Sequence, residues 1–179
     1  MDNKKYNRII ILGPAGSGKT TLSLFMSKLF NIEPIHLDKE YWLPNWQRPD
    51  NDEWNKKLQT FVDRDCWIID GNYIDSLDIR LEKADLVIML DIDANTCVYS
   101  IILRTIKGYF VRRKDLAKGC EDKFDESKKN LISWARQFKT AYFPQLIDLC
   151  IKYPNVDIKL FRTRKSARKF VERIKKEYE

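Results

Sequence analysis

The residues Gly13-Pro14-Ala15-Gly16-Ser17-Gly18-Lys19-Thr20 follow the pattern G-x-x-x-x-G-K-[ST]. That spacing suits the holding of phosphate. Glycines let the backbone curl so that successive N–H groups point inward, and the N-terminus of a following helix adds its dipole. Lys19 then reaches the β- and γ-phosphates of a nucleotide, and Thr20 offers a hydroxyl to Mg²⁺. Thr21 extends the same turn. Three of the chain's six glycines fall within this short motif, so backbone freedom is concentrated there.

Three carboxylates stand where short apolar runs end. Asp38 follows Pro34–Leu37, Asp70 follows Cys66–Ile69, and Asp91 follows Leu86–Leu90. At the carboxyl end of a parallel strand such a group can hold Mg²⁺ or its water, or take the proton of an attacking hydroxyl. Asp70 is expected in the metal shell. Asp38 is expected to bind substrate or act as base. Both are placed on strands expected to flank the strand that feeds the phosphate loop. Asp91 is the alternative metal carboxylate, although Asp91–Asp93 can equally cap the next helix. Gly71 lets a substrate approach the backbone after Asp70, and Asn72 and Tyr73 join it as candidate substrate contacts. Trp42 belongs to the aromatic loop Tyr41–Trp46. That loop reads either as a wall of the substrate pocket or as a flap packed on Trp54 or Trp67.

Phosphoryl transfer spreads charge over oxygens and calls for cations. Arg104, Arg112 and Arg113 lie in one stretch with Lys107 and Lys114, and no acid stands between 104 and 114. Arg104 and Arg113 are therefore candidate catalytic cations beside Lys19. Arg80 sits on a short helical stretch after Asp70. Residues 108–124 are polar, carry a glycine near each side, and read as a mobile lid over ATP.

The elements that must position these groups alternate in type. Strands are expected at Arg8–Leu12, Pro34–Leu37, Cys66–Asp70, Leu86–Asp91 and Val156–Phe161. Helices are expected at Thr20–Phe30, Asp52–Val62, Asn95 to about Arg113, a long pattern through Leu131, Trp134, Phe138 and Tyr142 that Pro144 interrupts, and Ser166–Tyr178. Strand–helix alternation predicts an α/β fold with a mainly parallel sheet. A chain of 179 residues fits one domain, 1–179, with the lid as an insertion.

Composition narrows the field. Apolar residues are 44% and charged residues 33%, enough to build a core. The net charge of +7 suits an anionic ligand such as a nucleotide, and would also suit nucleic acid. No apolar run approaches the ~18 residues a membrane span needs. The polar start lacks a signal-peptide pattern, so a cytoplasmic protein is expected. Four scattered cysteines and a single histidine, His36, disfavour a zinc site and Ser-His-Asp chemistry. A GTPase is excluded by the absence of N-K-x-D and of any Asp three residues before a Gly. Small phosphotransferases remain.

Several segments together resemble the bacterial DNA topology modulation proteins of the FlaR type. They are Gly13–Thr20, Ile35-His36-Leu37-Asp38 with Trp42, Trp67 to Tyr73, Leu77-Asp78-Ile79-Arg80-Leu81, and Ala84-Asp85. Lys118-Gly119-Cys120, Trp134 and Leu160–Lys165 belong to the same likeness. The resemblance implies a P-loop NTPase three-layer sandwich similar to adenylate kinase and shikimate kinase, with a five-stranded parallel sheet and a helical lid. By likeness to kinase lids, Arg104 and Arg113 would contact ATP, and Arg162 and Arg164 would lie near the adenine. Adenylate kinases carry D-G-F-P-R after the third strand. Here Asp70-Gly71 match and Asn72-Tyr73-Ile74 replace the rest, which leaves Arg80 as the candidate to hold an acceptor.

The expected function is transfer of the γ-phosphate of Mg-ATP to a small acceptor. The alternative is a nucleotide-regulated, DNA-associated protein using its basic lid and C-terminal basic helix, although no base-reading module is present.

Overall fold

The computed structural model describes residues 6–108, 117–120 and 125–178. Five strands form one parallel sheet: β1 (Arg8–Leu12), β2 (Pro34–His36), β3 (Trp67–Asp70), β4 (Leu86–Leu90) and β5 (Asp157–Phe161), in the order β2-β3-β1-β4-β5. The register sets Ile11 of β1 between Asp70 of β3 and Ile88 of β4.

The run Ile9-Ile10-Ile11-Leu12 is wholly buried because both faces of the sheet are covered. Side chains alternate across a strand, and the two cores follow that alternation. Ile9 and Ile11 pack with Leu22 and Met26 of α1 (Lys19–Phe30) and with Ala167 and Val171 of α8 (Arg164–Tyr178). Ile10 and Leu12 pack on the other face, with Trp54, Leu58 and Val62 of α3 (Asn51–Val62) and Leu146 of α7 (Phe143–Cys150). This is the expected three-layer arrangement.

Local chemistry sets the helix ends. The Asp50 carboxylate accepts from the N–H groups of Asp52 and Glu53 and starts α3. Asp93 accepts from Thr96 N at 3.0 Å and caps α5 (Ala94–Gly108). Those hydrogen bonds hold the Asp93 carboxyl below its usual range. Asp125 does the same for α6 (Glu126–Gln137). After α6 the chain widens over Phe138–Tyr142, and Pro144 sits in the first turn of α7, where its missing N–H costs nothing.

Two expectations are corrected. Strand β2 stops at His36, and Leu37–Tyr41 form a short helix, α2, so Asp38 lies in a helix rather than at a strand end. The neighbours of β1 are β3 and β4, whereas β2 is the edge strand beyond β3. Where β2 gives way to α2, Leu37 is fully buried against Gly71: a Cβ on Gly71 would lie 2.8 Å from the Leu37 Cβ. Of the expected lid, 109–116 (with Arg113) and 121–124 lie outside the described residues. Residues 117–120 seat on the loop after α2, where Asn45 N donates to Gly119 O at 3.2 Å. No helix among the described residues is long and apolar enough to cross a membrane.

Candidate functional site

A cleft of about 1090 Å³ is lined by the phosphate loop, the β2–α2 junction, the loop after β3, and α5 and α6. In a doubly wound sheet this region, beside the strand where the order reverses, is where ligands sit.

The loop from Gly13 to Gly18 is braced by its own hydrogen bonds. Ser17 N donates to Pro14 O at 3.1 Å. The Lys19 ammonium donates to Gly13 O at 2.8 Å and Pro14 O at 3.1 Å. Burial pushes the Lys19 pKa down, while the negative charges of Asp38 and Asp70 act against that shift. Gly16 has φ +78°, and a Cβ there would overlap the Cys97 carbonyl oxygen of α5. Ala15, Gly16, Gly18, Lys19, Thr20 and Thr21 all line the cleft. Gly13, Pro14 and Ser17 form the loop's inner side.

Arg104 lines the cleft from α5, as expected. Arg164 also lines it and straps the loop. Its Nε donates to Ser17 O at 2.9 Å, and its Nη2 donates to Gly16 O at 2.6 Å and to Ser100 Oγ at 2.8 Å. Arg162 does not join them. Its side chain is 82% exposed and stands 4.0 Å from Asp91. Asp91 receives Lys139 Nζ at 3.0 Å and is absent from the cleft wall.

Asp38 lines the cleft and accepts a hydrogen bond from the Tyr73 hydroxyl at 2.9 Å. Burial and the adjacent Asp38 charge raise the Tyr73 pKa, so this phenol stays a donor across the ordinary pH range. Trp42, Gly71, Asn72 and Tyr73 line the same cleft.

Two expected site residues are placed differently. Asp70 is 4% exposed and does not reach the wall. Its Oδ2 accepts from Ser23 Oγ at 2.6 Å and pairs with His36 Nδ1 at 2.6 Å. Asp70 therefore links β2, β3 and α1 from beneath. Arg80, on the short helix α4 (Leu77–Leu81), is fully buried and does not line the cleft. Its guanidinium donates to the carbonyls of Gly71 at 2.8 Å, Asn72, and Tyr73 at 3.0 Å. It shapes the loop after β3 and does not face an acceptor. Burial lowers its pKa to about 9, which keeps it cationic at neutral pH.

Sequence reasoning missed His36 and Lys128, which both line the cleft. His36 had a signal, since it closes the strand two residues before Asp38. Lys128 had none, because its place depends on how α6 packs.

The donors fit Mg²⁺ brought in with a nucleotide. That ion takes few protein ligands and fills its octahedron with phosphate oxygens and water. Thr20 supplies a hydroxyl and Asp38 a carboxylate to the cleft, and the described residues contain no cluster of three His, Cys, Asp or Glu that would form a closed metal cage.

No protein-family model matches the chain, and no curated protein matches it. Solved structures do. Shikimate kinase from Acinetobacter baumannii in complex with shikimate matches at 15% identity over 94% of this chain and 90% of that one, with a TM-score of 0.57. A gluconokinase from Sinorhizobium meliloti 1021 matches at 13% identity over 96% and 90%, with a TM-score of 0.56. Shikimate kinase from Bacteroides thetaiotaomicron matches at 16% identity over 96% and 98%, with a TM-score of 0.50. The likeness establishes the fold: a five-stranded parallel sheet in the arrangement of P-loop kinases.

Proposed function

We propose that this cleft transfers the γ-phosphate of Mg-ATP to a hydroxyl of a small acceptor. The observation that carries the reading is that Lys19, Thr20 and Asp38 line one continuous cleft. Lys19 and the loop amides hold the β- and γ-phosphates, and Thr20 holds Mg²⁺, which supplies charge neutralisation on the phosphates when bound. Arg104 meets the charge that spreads over the transferred group, and Arg113 is assigned the same task. Asp38 orients the acceptor hydroxyl and accepts its proton, with Tyr73 fixing the carboxylate by its hydrogen bond. Asp70 acts on the metal only through the groups it orders, Ser23 and His36.

The FlaR-type likeness falls largely on the same surfaces: Gly13–Thr20, His36–Asp38 and Gly71–Tyr73. We assign that likeness to nucleotide chemistry rather than to DNA.

The test follows ADP release from Mg-ATP across a panel of hydroxyl acceptors. Asp38→Asn should leave ATP affinity nearly intact and lower turnover by about two orders of magnitude. Normal turnover with collapsed ATP binding would show the roles to be misassigned.

A further inference from the structure

Four non-glycine residues among those described have positive φ: Asn31, Asn45, Trp46 and Tyr73. Asparagine tolerates this region. A bulky aromatic residue does not, and such a conformation persists only where the surroundings enforce it. Both aromatic cases, Trp46 at +59° and Tyr73 at +35°, line the cleft.

Each is enforced. The loop carrying Trp46 is closed by Leu43 N donating to Gln47 O at 3.0 Å and is pinned by the Asn45–Gly119 hydrogen bond. Tyr73 is held by Arg80 on its carbonyl and by Asp38 on its hydroxyl. The rings are also ordered among themselves. Trp42 and Trp46 meet edge-on at 5.6 Å, and Tyr41 joins Trp42 at 5.2 Å and Tyr73 at 4.6 Å. Trp46 remains 38% exposed. Trp134 lines the cleft from α6, so indole rings enter it from two separate elements.

The cations complete the picture. A carboxylate-bearing acceptor is best gripped by arginine forks. Arg80 and Arg164 are committed to backbone carbonyls, and Arg104, the other arginine on the cleft wall among the described residues, is assigned to the transferred phosphoryl group. The acceptor side of the cleft offers ring faces beside the Asp38 carboxylate.

We infer that the acceptor is nucleoside-like: a planar aromatic ring, packed face-on against one of the edge-on pair Trp42 and Trp46 and edge-on against the other, carrying a hydroxylated arm that reaches Asp38. This rests on the phosphotransfer reading and names its substrate class. The transfer balances simply. The acceptor oxygen forms the new P–O bond, the bond from the γ-phosphorus to the bridging oxygen breaks, ADP leaves, and the hydroxyl proton goes to Asp38.

The test is calorimetry with adenosine, uridine, shikimate and gluconate, each with the ATP site filled by a non-hydrolysable ATP analogue, and adenosine also alone. At least one nucleoside should bind, and neither sugar-type acid should bind better. Trp46→Gly removes the ring and suits the positive φ, so the turn itself should persist, with folding checked by a cooperative thermal melt. It should weaken nucleoside binding about tenfold to a hundredfold, the range for loss of one base–aromatic stack. Mg-ATP affinity should stay unchanged. Trp42→Leu is the second variant and should act in the same direction. Nucleoside binding that survives both substitutions, or a preference for shikimate or gluconate with Mg-ATP binding intact, overturns the inference and leaves the phosphotransfer reading standing. Failure of the parent to bind Mg-ATP refutes the phosphotransfer reading instead, and adenosine binding alone then decides the ring site by the same criterion.

Discussion

Asn72 closes two hydrogen bonds on one residue of the phosphate loop. Its Oδ1 accepts from Gly13 N at 3.0 Å, and its Nδ2 donates to Gly13 O at 2.9 Å. The carbonyl of Asn72 is in turn held by Arg80. The loop after β3 and the phosphate loop are thus one mechanical unit, and Asn72, expected to touch the acceptor, is the clasp between them.

Opening that clasp should loosen the cradle. Asn72→Leu leaves the Gly13 N–H and carbonyl without these partners, at a cost of about 1–3 kcal/mol. Mg-ATP affinity should fall by about tenfold or more, read by calorimetry. An unchanged affinity would show that the cradle holds its shape without Asn72.

Removing Arg80 should be a stability lesion. Arg80→Met orphans three carbonyls and should lower unfolding free energy by about 3 kcal/mol, read in urea. Arg80→Lys should not restore it, because one ammonium cannot span the three acceptors. Full stability with a raised acceptor KM would return Arg80 to the substrate site.

Gly16→Ala tests the close approach of the loop to α5. Both the positive φ and the overlap with the Cys97 carbonyl oppose a methyl group there. The variant should fold with little loss in its sheet and lose most Mg-ATP binding, seen as a missing thermal shift on nucleotide addition. A parental shift would mean that α5 yields easily.

Alkaline pH should weaken the fold through two thiols. Burial raises Cys97 and Cys150 to about 11 from an ordinary 9.0. A raised folded-state pKa gives stability that is complete below the unfolded value and is lost as pH rises through the folded one. The window is therefore about pH 9–11. Arg80, with its lowered pKa, acts in the opposite sense, so the reading is the difference between the parent and a Cys97→Ala, Cys150→Ala variant. The parent's melting temperature should fall by a few degrees more than the variant's across that window. Parallel curves would remove the thiols from the account.

The strand–helix alternation and the glycine-rich turn between β1 and α1 were legible because each depends on local signals: apolar runs such as Ile9–Leu12 and glycines at fixed spacing. What lay hidden depends on contacts across the chain. Ile35-His36-Leu37 reads locally as a strand, but Leu37 turns into a helix where it packs on Gly71. Asp70 reads as a strand-end acid for the metal shell, but Ser23 and His36 arrive from two other elements to claim its Oδ2. Arg80 reads as a cation for a ligand, but the loop curls its carbonyls around it. Arg164 was expected near the adenine by likeness to kinases, and its strap on Gly16 and Ser17 is a feature no spacing foretells.

We assign the phosphates of Mg-ATP to the Lys19 cradle. Calorimetric titration of Mg-ATP into the parent and into Lys19→Ala tests that assignment most directly. Loss of a charged hydrogen-bond donor of about 1.5–3 kcal/mol predicts binding at least tenfold weaker in the variant. Equal binding by the two proteins would contradict the account.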